Sequence, residues 1–545
     1  MKARIHPSIL LPALVAFTLP GCSPAQSPRP APRAEIDGER LEGAYFGSGT
    51  NEVVFKGIPY AAPPLGARRW KPPMPIQPRQ GVQTATQFAP ACPQPAGPEG
   101  NLEWYREIAR AFGQDPAVIP PMVPMSEDCL YLNVWTAHWG GEMKQPVMVW
   151  IHGGGNYLGW GHEPPYHGKS LARRGVVMVS INYRLGEFGF LAHPHLTQES
   201  PNHSSGNYGL LDQIEALRWV QRNIAAFGGD PARVTIFGES AGAADVGYLM
   251  ASPLAAGLFH RAISQSGGYL LDDFRTLGFE EARGVQLAMG LGIEDGEGTL
   301  ASLRAKSTNE ILAAAAQLPS KSSTYGPNID GLILPDSPAR IFAEGRQHAV
   351  PLMIGANANE WTLFGSPPDN LAQYNERIRS AYGNLAAEAM GLYAAAAPED
   401  IAANFDRWKT DDTFLCGSKL MARSMSLVRS DAYVYHFTRV LPGPGGNRLG
   451  AFHGAEIPYV FDTPDAWLPW EEADESLAEQ MAAYWVQFAT AGDPNREGLP
   501  HWPPCRGAAQ RYLELGAEVR TGAGLHRDAC ALYEAKLAAS TRTSG

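Results

Sequence analysis

Residues 234–243 read VTIFGESAGA: strand-favouring residues run into two glycines that flank a serine, and small apolar residues follow. No other stretch restricts the chain as much. Gly238 and Gly242 carry no side chain, so a crowded turn can close around Ser240 and leave its hydroxyl standing above a sheet, near a helix N-terminus. AGAADVGYLMA, after Ser240, is small and apolar enough to pack tightly on that sheet. A bare G-x-S-x-G arises by chance, and the entering strand and leaving helix give this one its weight.

Further strands are predicted at 146–152 (PVMVWIH), 176–184 (VVMVSINYR), 350–355 (VPLMIG) and 432–440 (AYVYHFTRV). They are nearly continuous in apolar character and bounded by Gly, Pro or Asn, which suits strands buried on both faces. Between them, 208–228 places Leu211, Ile214, Leu217 and Val220 at helical spacing before the stop Gly228-Gly229-Asp230-Pro231. Strands alternating with helices predict βαβ units and a mostly parallel sheet. Residues 35–538 read as one large α/β domain with long insertions, including 94–125 and 365–430, and 539–545 as a tail.

A serine hydroxyl is a poor nucleophile. It needs a base, a group that orients the base, and donors for the oxyanion that forms on a carbonyl. For the donors, His152-Gly153-Gly154-Gly155 follows the strand 146–152 and matches an HGGG-type loop. For the base, His453 stands between glycines after the strand 432–440, one of 14 histidines. For the acid, Glu360 follows VPLMIG on a post-strand loop, one of many acids between Ser240 and His453.

The amino terminus stands apart. Lys2 and Arg4 precede an apolar run, Ile9 to Leu19, too short to span a bilayer but long enough for a signal-peptide core. LPGC (19–22) resembles a bacterial lipobox, which makes Cys22 a lipidation candidate and a membrane tether; cleavage near Ala25-Gln26-Ser27 is the alternative. Residues 1–21 read as the signal peptide and 22–34 as a Pro-rich tether. The expectation is export, as a bacterial outer-membrane lipoprotein or a periplasmic or secreted protein. A net charge of −11 argues against a nucleic-acid partner. With 44% hydrophobic and 18% charged residues the chain is globular.

Several long motifs in order carry a resemblance. FKGIPYAAPPLGARRWKPP (55–73), SEDCLYLNVW (126–135), NYRLGEFGFL (182–191), NYGLLDQIEALRWVQRNIAAFGGDP (207–231), FGESAGA (237–243), GANANE (355–360) and HGAEIPYVF (453–461) resemble the motifs of the type B carboxylesterases, a family that includes cholinesterases and bacterial para-nitrobenzyl esterases. The resemblance spans about Phe55 to Cys530. It implies an α/β-hydrolase fold with cap and gorge insertions, hydrolysis of small-molecule esters through an acyl-enzyme, and no cofactor. It implies a triad of Ser240, Glu360 and His453, and an oxyanion hole of the Gly154, Gly155 and Ala241 N–H groups. Glu239, Ser266 and Glu456 become candidates for the surrounding support. It also implies disulfides Cys92–Cys129 and Cys416–Cys530, leaving Cys505 without an evident partner. Trp361 departs from the family, many members of which have glycine after the acid; a change in loop packing is expected.

The family's range covers small aryl and alkyl esters, choline esters, lipids and xenobiotic esters, and its neuroligins act in adhesion without the serine. Here Ser240, Glu360 and His453 are all present. No lysine has a serine three residues before it, so the S-x-x-K motif is absent. HEPPYH (162–167) has the wrong spacing for a metal-binding H-E-x-x-H, and GKS (168–170) lacks the leading glycine of a P-loop. Trp104 and Tyr105, in the insertion 98–125, are expected to stabilise a cap or line a gorge.

Overall fold

The computed structural model describes residues 29–49, 51–95, 102–272, 275–318, 325–507 and 509–543, with only the backbone of 540–543. The chain divides into Met1–Ala31 and Pro32–Gly545. The signal peptide 1–21, Cys22 and much of the tether lie outside the described residues. The second unit holds the sheet and the site.

Among the described residues eleven strands form one sheet: β1 (Ala44–Tyr45), β2 (Val53–Pro59), β3 (Tyr131–Thr136), β4 (Gln145–Ile151), β5 (Val177–Ile181), β6 (Gly229–Glu239), β7 (Arg261–Gln265), β8 (Leu352–Asn357), β9 (Ala432–Phe437), β10 (Arg511–Leu515) and β11 (Val519–Ala523). Their order is β11-β10-β9-β8-β7-β6-β4-β5-β3-β2-β1. Pairing is parallel from β5 through β4 and β6 to β10, and antiparallel at both edges.

Alternation along each strand divides the core in two. Val147, Val149 and Ile151 of β4 join one apolar cluster, with Leu352 and Ile354 of β8; Met148, Trp150 and Met353 point into the other. Every residue of β4, β5, β8 and β9 is buried, as strands covered on both faces require. Helices α1 (Glu103–Ala111), α2 (Tyr208–Asn223), α3 (Ala241–Ala251), α4 (Cys416–Ser424), α5 (Glu472–Ala491) and α6 (Arg527–Thr543) surround the sheet and the site. Residues of α2, α3, α4 and α6 build the first cluster, and α5 covers the other with Leu477, Met481, Trp485 and Phe488.

The five predicted strands all form, and the one that leads to Ser240 starts earlier than expected, at Gly229. The helix expected over 208–228 ends at Asn223 and tightens into a 3-10 turn, Ile224–Phe227, closed by Gly228 at φ 82°. The first strand of a small separate sheet begins at Arg33, inside the stretch read as tether, and α6 runs through the boundary set at 538. The sequence pattern passes over β7. RAISQ has too few apolar residues to register, yet Ser264 and Gln265 are wholly buried and satisfied by hydrogen bonds with Ala243 O, Glu456 and Trp485.

Candidate active site

β6 delivers Glu239 to the C-terminal edge of the sheet, and α3 begins at Ala241. Ser240 between them takes φ 54° and ψ −123°, a conformation that residues with a side chain rarely adopt. Its N–H donates to Gln265 O at 2.8 Å. The glycines are required by contact: a Cβ on Gly242 would stand 2.0 Å from Ile151 O, and one on Gly238 2.5 Å from the Gly242 carbonyl carbon. Close packing of the elbow on β4 holds the strain at Ser240.

His453 lies on a loop after β9, and Glu360 on the loop after β8; the two loops pair through Asn359 and Phe452. His453 Nδ1 is 2.5 Å from Glu360 Oε2. Glu360 is wholly buried. Its other oxygen accepts from the Ser266 hydroxyl and the Asn357 N–H, both at 2.6 Å. Glu360 N–H donates to Thr410 Oγ1 at 3.0 Å. Glu456 lies one layer farther out, accepting from Gln265 Nε2 at 3.0 Å and Asn357 Nδ2 at 2.6 Å.

The second nitrogen of His453 faces Glu239, with Nε2 to Oε1 3.1 Å, at ion-pair distance but without hydrogen-bond alignment. Burial alone would hold the imidazole down; the carboxylates of Glu239 and Glu360 override it and push His453 up to about 9. Burial pushes Glu239 up to about 8, with His453 pulling the other way. The pair thus retains a proton above the ordinary imidazole range.

Gly154 and Gly155 have φ 101° and 65°, and a Cβ on Gly154 would meet Leu158 O at 2.3 Å. Gly153 packs against the elbow, where an added Cβ would lie 3.2 Å from Ser240 Cβ. The N–H groups of Gly154, Gly155 and Ala241 have no protein acceptor among the described residues. Ala241 opens the helix, and a helix N-terminus favours developing negative charge.

Ser240, His453, Glu239, Gly154 and Gly155 line one cavity of about 450 Å³. Much of its remaining wall is aromatic, with the basic side chain of Arg275 and the carboxylate of Glu163. Burial pushes Glu163 up to about 7, and Tyr105 donates to it at 2.6 Å. Phe364 and Phe414 each pack 4.9 Å from the His453 ring, and Trp104 6.0 Å from it. Trp104 and Tyr105, both on α1, line the cavity. Trp361, at the family departure, donates its backbone N–H to Asp406 Oδ1 at 2.9 Å, and its ring packs on Phe364 at 5.1 Å.

The disulfides Cys92–Cys129 and Cys416–Cys530 are formed, and Cys505 is a buried free thiol. The first ties down a loop whose Gln94 bonds both backbone groups of Gly159, beside the glycine loop. Gln265, Asn357, Thr410, Phe364 and Phe414 escape a reading of the sequence alone. Asn357 has a signal, the middle of GANANE; Phe414, deep in the 365–430 insertion, has none.

A mostly parallel sheet that drives a strained serine elbow into a cavity shared with a carboxylate-bound histidine defines an α/β hydrolase. The sequence model of the Carboxylesterase family matches residues 30–533. The chain is 38% identical over 500 residues to the fumonisin B1 esterase of Sphingopyxis macrogoltabida, covering 89% of this chain and 87% of that protein. It is 36% identical over 482 residues to the para-nitrobenzyl esterase of Bacillus subtilis (strain 168), covering 85% and 91%. A solved PNB esterase structure superposes with a TM-score of 0.76 at 32% identity, covering 91% of this chain and 99% of that one. The chain belongs to the carboxylesterase family and is a serine carboxylic-ester hydrolase.

Proposed function

We propose that Ser240, His453 and Glu360 act as a triad on small to medium carboxylic esters. The observation that carries the reading is the placement of His453: one nitrogen is held by Glu360, and the ring borders the cavity that Ser240 lines. His453 Nε2 takes the Ser240 proton as Oγ attacks the ester carbonyl. Glu360 holds the tautomer with the proton on Nδ1 and stabilises the imidazolium. The Gly154, Gly155 and Ala241 N–H groups receive the tetrahedral oxyanion. The intermediate collapses, the bond to the alcohol oxygen breaks, and His453 gives its proton to the departing alcohol. Water then repeats the sequence on the acyl-enzyme, releasing the acid and regenerating Ser240. Ser266 and Glu456 support the carboxylate network around Glu360, and Glu239 holds charge beside Nε2.

The aromatic wall favours apolar acyl or alcohol groups, which gain by burial. The two curated relatives are named for different esters, so family membership alone does not select the substrate. The test is hydrolysis of para-nitrophenyl esters of increasing acyl length, with Ser240→Ala alongside and mass-spectrometric mapping of a fluorophosphonate label. A loss of about 10⁴-fold or more in kcat and a label on Ser240 are expected. Near-normal turnover of the variant, with contamination excluded, removes Ser240 from the role.

Export and a tether through lipidated Cys22 belong to the same proposal. The two disulfides accord with an oxidising compartment. No helix among the described residues is long and apolar enough to cross a membrane. The mass of the mature amino-terminal peptide, compared with Cys22→Ser, decides it. A diacylglyceryl mass on Cys22 supports the tether, and an unmodified terminus beyond Ala25 overturns it.

A further inference from the structure

Behind the glycine loop lies a buried carboxylate that the triad chemistry does not use. Asp245 is on α3, the helix that begins just after Ser240, and is wholly buried. Its Oδ1 accepts from Asn156 Nδ2 at 3.0 Å and its Oδ2 from Gln213 Nε2 at 2.6 Å. Asn156 directly follows Gly155 and has φ 61°, a left-handed conformation that asparagine tolerates better than most residues. Asn156 is gripped on its other sides as well. The Tyr183 hydroxyl lies 3.1 Å from its Oδ1 and 2.9 Å from His152 O, and shares its proton between them. The Asn156 backbone carbonyl accepts from Gly186 N–H at 2.7 Å.

The oxyanion donors come from two separate pieces of chain. Gly154 and Gly155 belong to the loop after β4, and Ala241 to the start of α3. Preorganised donors work only if their mutual geometry is held within a fraction of an ångström. We propose that Asp245 is a positioning residue: by accepting the Asn156 amide it ties the glycine loop to the helix that carries Ser240, keeping the two halves of the oxyanion hole in register. The inference rests on the Ser240 and oxyanion-hole reading above. It adds a residue that touches neither substrate nor triad and acts through Asn156.

The chemistry of the bond specifies the test. Asp245→Ala removes the acceptor and leaves the Asn156 and Gln213 amides without it. Asp245→Asn keeps one oxygen for Asn156. Its own amide finds Gln213 Oε1, which has no partner among the described residues, once the Gln213 amide turns over. Asn156→Gly removes the other end of the bond while keeping a residue that accepts positive φ. The readouts are kcat and KM on a neutral para-nitrophenyl ester, and the affinity for a trifluoromethyl ketone whose adduct places an oxyanion in the hole.

Asp245→Ala and Asn156→Gly each lower kcat by roughly 10-fold to 100-fold with KM within about twofold, and weaken the ketone in parallel. Asp245→Asn recovers most of the loss. The double variant Asp245→Ala/Asn156→Gly loses no more than either single one, because both break the same bond. Should Asp245→Ala fail to fold, Asn156→Gly carries the test. Folded variants with unchanged kcat and ketone affinity overturn the brace, as do losses that multiply in the double variant. Activity that survives Ser240→Ala instead overturns the reading beneath it, so the two failures are distinct.

Discussion

His453 Nε2 lies 3.1 Å from Glu239 Oε1, the carboxylate of the residue immediately before the candidate nucleophile. With Glu360 on Nδ1, the imidazole stands between two acids in a buried site. Under the triad proposed above, His453 must be neutral to accept the Ser240 proton, so the charge that raises it sets where activity begins.

Burial lowers the imidazole pKa, and the carboxylates of Glu239 and Glu360 more than offset it, raising His453 to about 9. The acid limb of kcat/KM is therefore expected above the ordinary imidazole value of about 6.5. Glu239→Gln removes a negative charge, lowers the imidazole pKa and shifts that limb to lower pH. A pH–rate profile of both proteins checks it; an unmoved limb means that the group titrating in that limb does not feel the Glu239 charge.

Gly242→Ala tests the elbow. Its Cβ would come 2.0 Å from Ile151 O, and backbone cannot move aside as a side-chain tip can. Pushing α3 off β4 displaces Ser240 from the loop that faces it. Overpacking of this kind costs about 1–3 kcal/mol or more, and kcat is expected to fall by roughly 100-fold. Thermal unfolding and kcat measured together check both; full activity would mean the elbow relaxes without moving the hydroxyl.

Phe414→Ala tests the wall. The ring is buried, lies 4.9 Å from His453 and lines the cavity. Its removal is expected to raise the ratio of kcat/KM for long against short acyl para-nitrophenyl esters, while stability falls by about 3–5 kcal/mol. An unchanged acyl-length profile would place the acyl pocket elsewhere in the cavity.

Cys416–Cys530, with a sequence separation of 114, joins α4 to α6. Replacing both cysteines by serine is expected to lower stability by about 4–5 kcal/mol, chiefly by freeing the unfolded chain. The half-life at elevated temperature and the denaturant midpoint of the double variant report the loss. An unchanged midpoint would show that α6 packing, through Leu532, Tyr533 and Leu537, holds the C-terminus without the bridge.

Much of this protein is written locally. Apolar runs such as PVMVWIH and VPLMIG determine buried parallel strands, because a strand covered on both faces has no polar side to display. FGESAGA determines the elbow, because only glycine fits where Gly238 and Gly242 meet the neighbouring backbone. Local pattern is weaker at β7, whose Ser264 and Gln265 look like surface residues until β6 and β8 enclose them and their hydrogen-bond partners arrive from α3, α5 and Glu456.

Tertiary structure alone decided the rest. By spacing, Glu360 is one acid among many, and only the resemblance carried by GANANE singles it out; its distance of 2.5 Å from a histidine far along the chain comes from the pairing of the β8 and β9 loops. Phe414 comes from an insertion with no local signature and reaches the same ring. Asp245 reads as a chance acid in a small-residue helix until the glycine loop turns Asn156 onto it. Periodicity records which way a residue faces within its own element, whereas a site is made of distances between elements, and those exist only once the chain has packed.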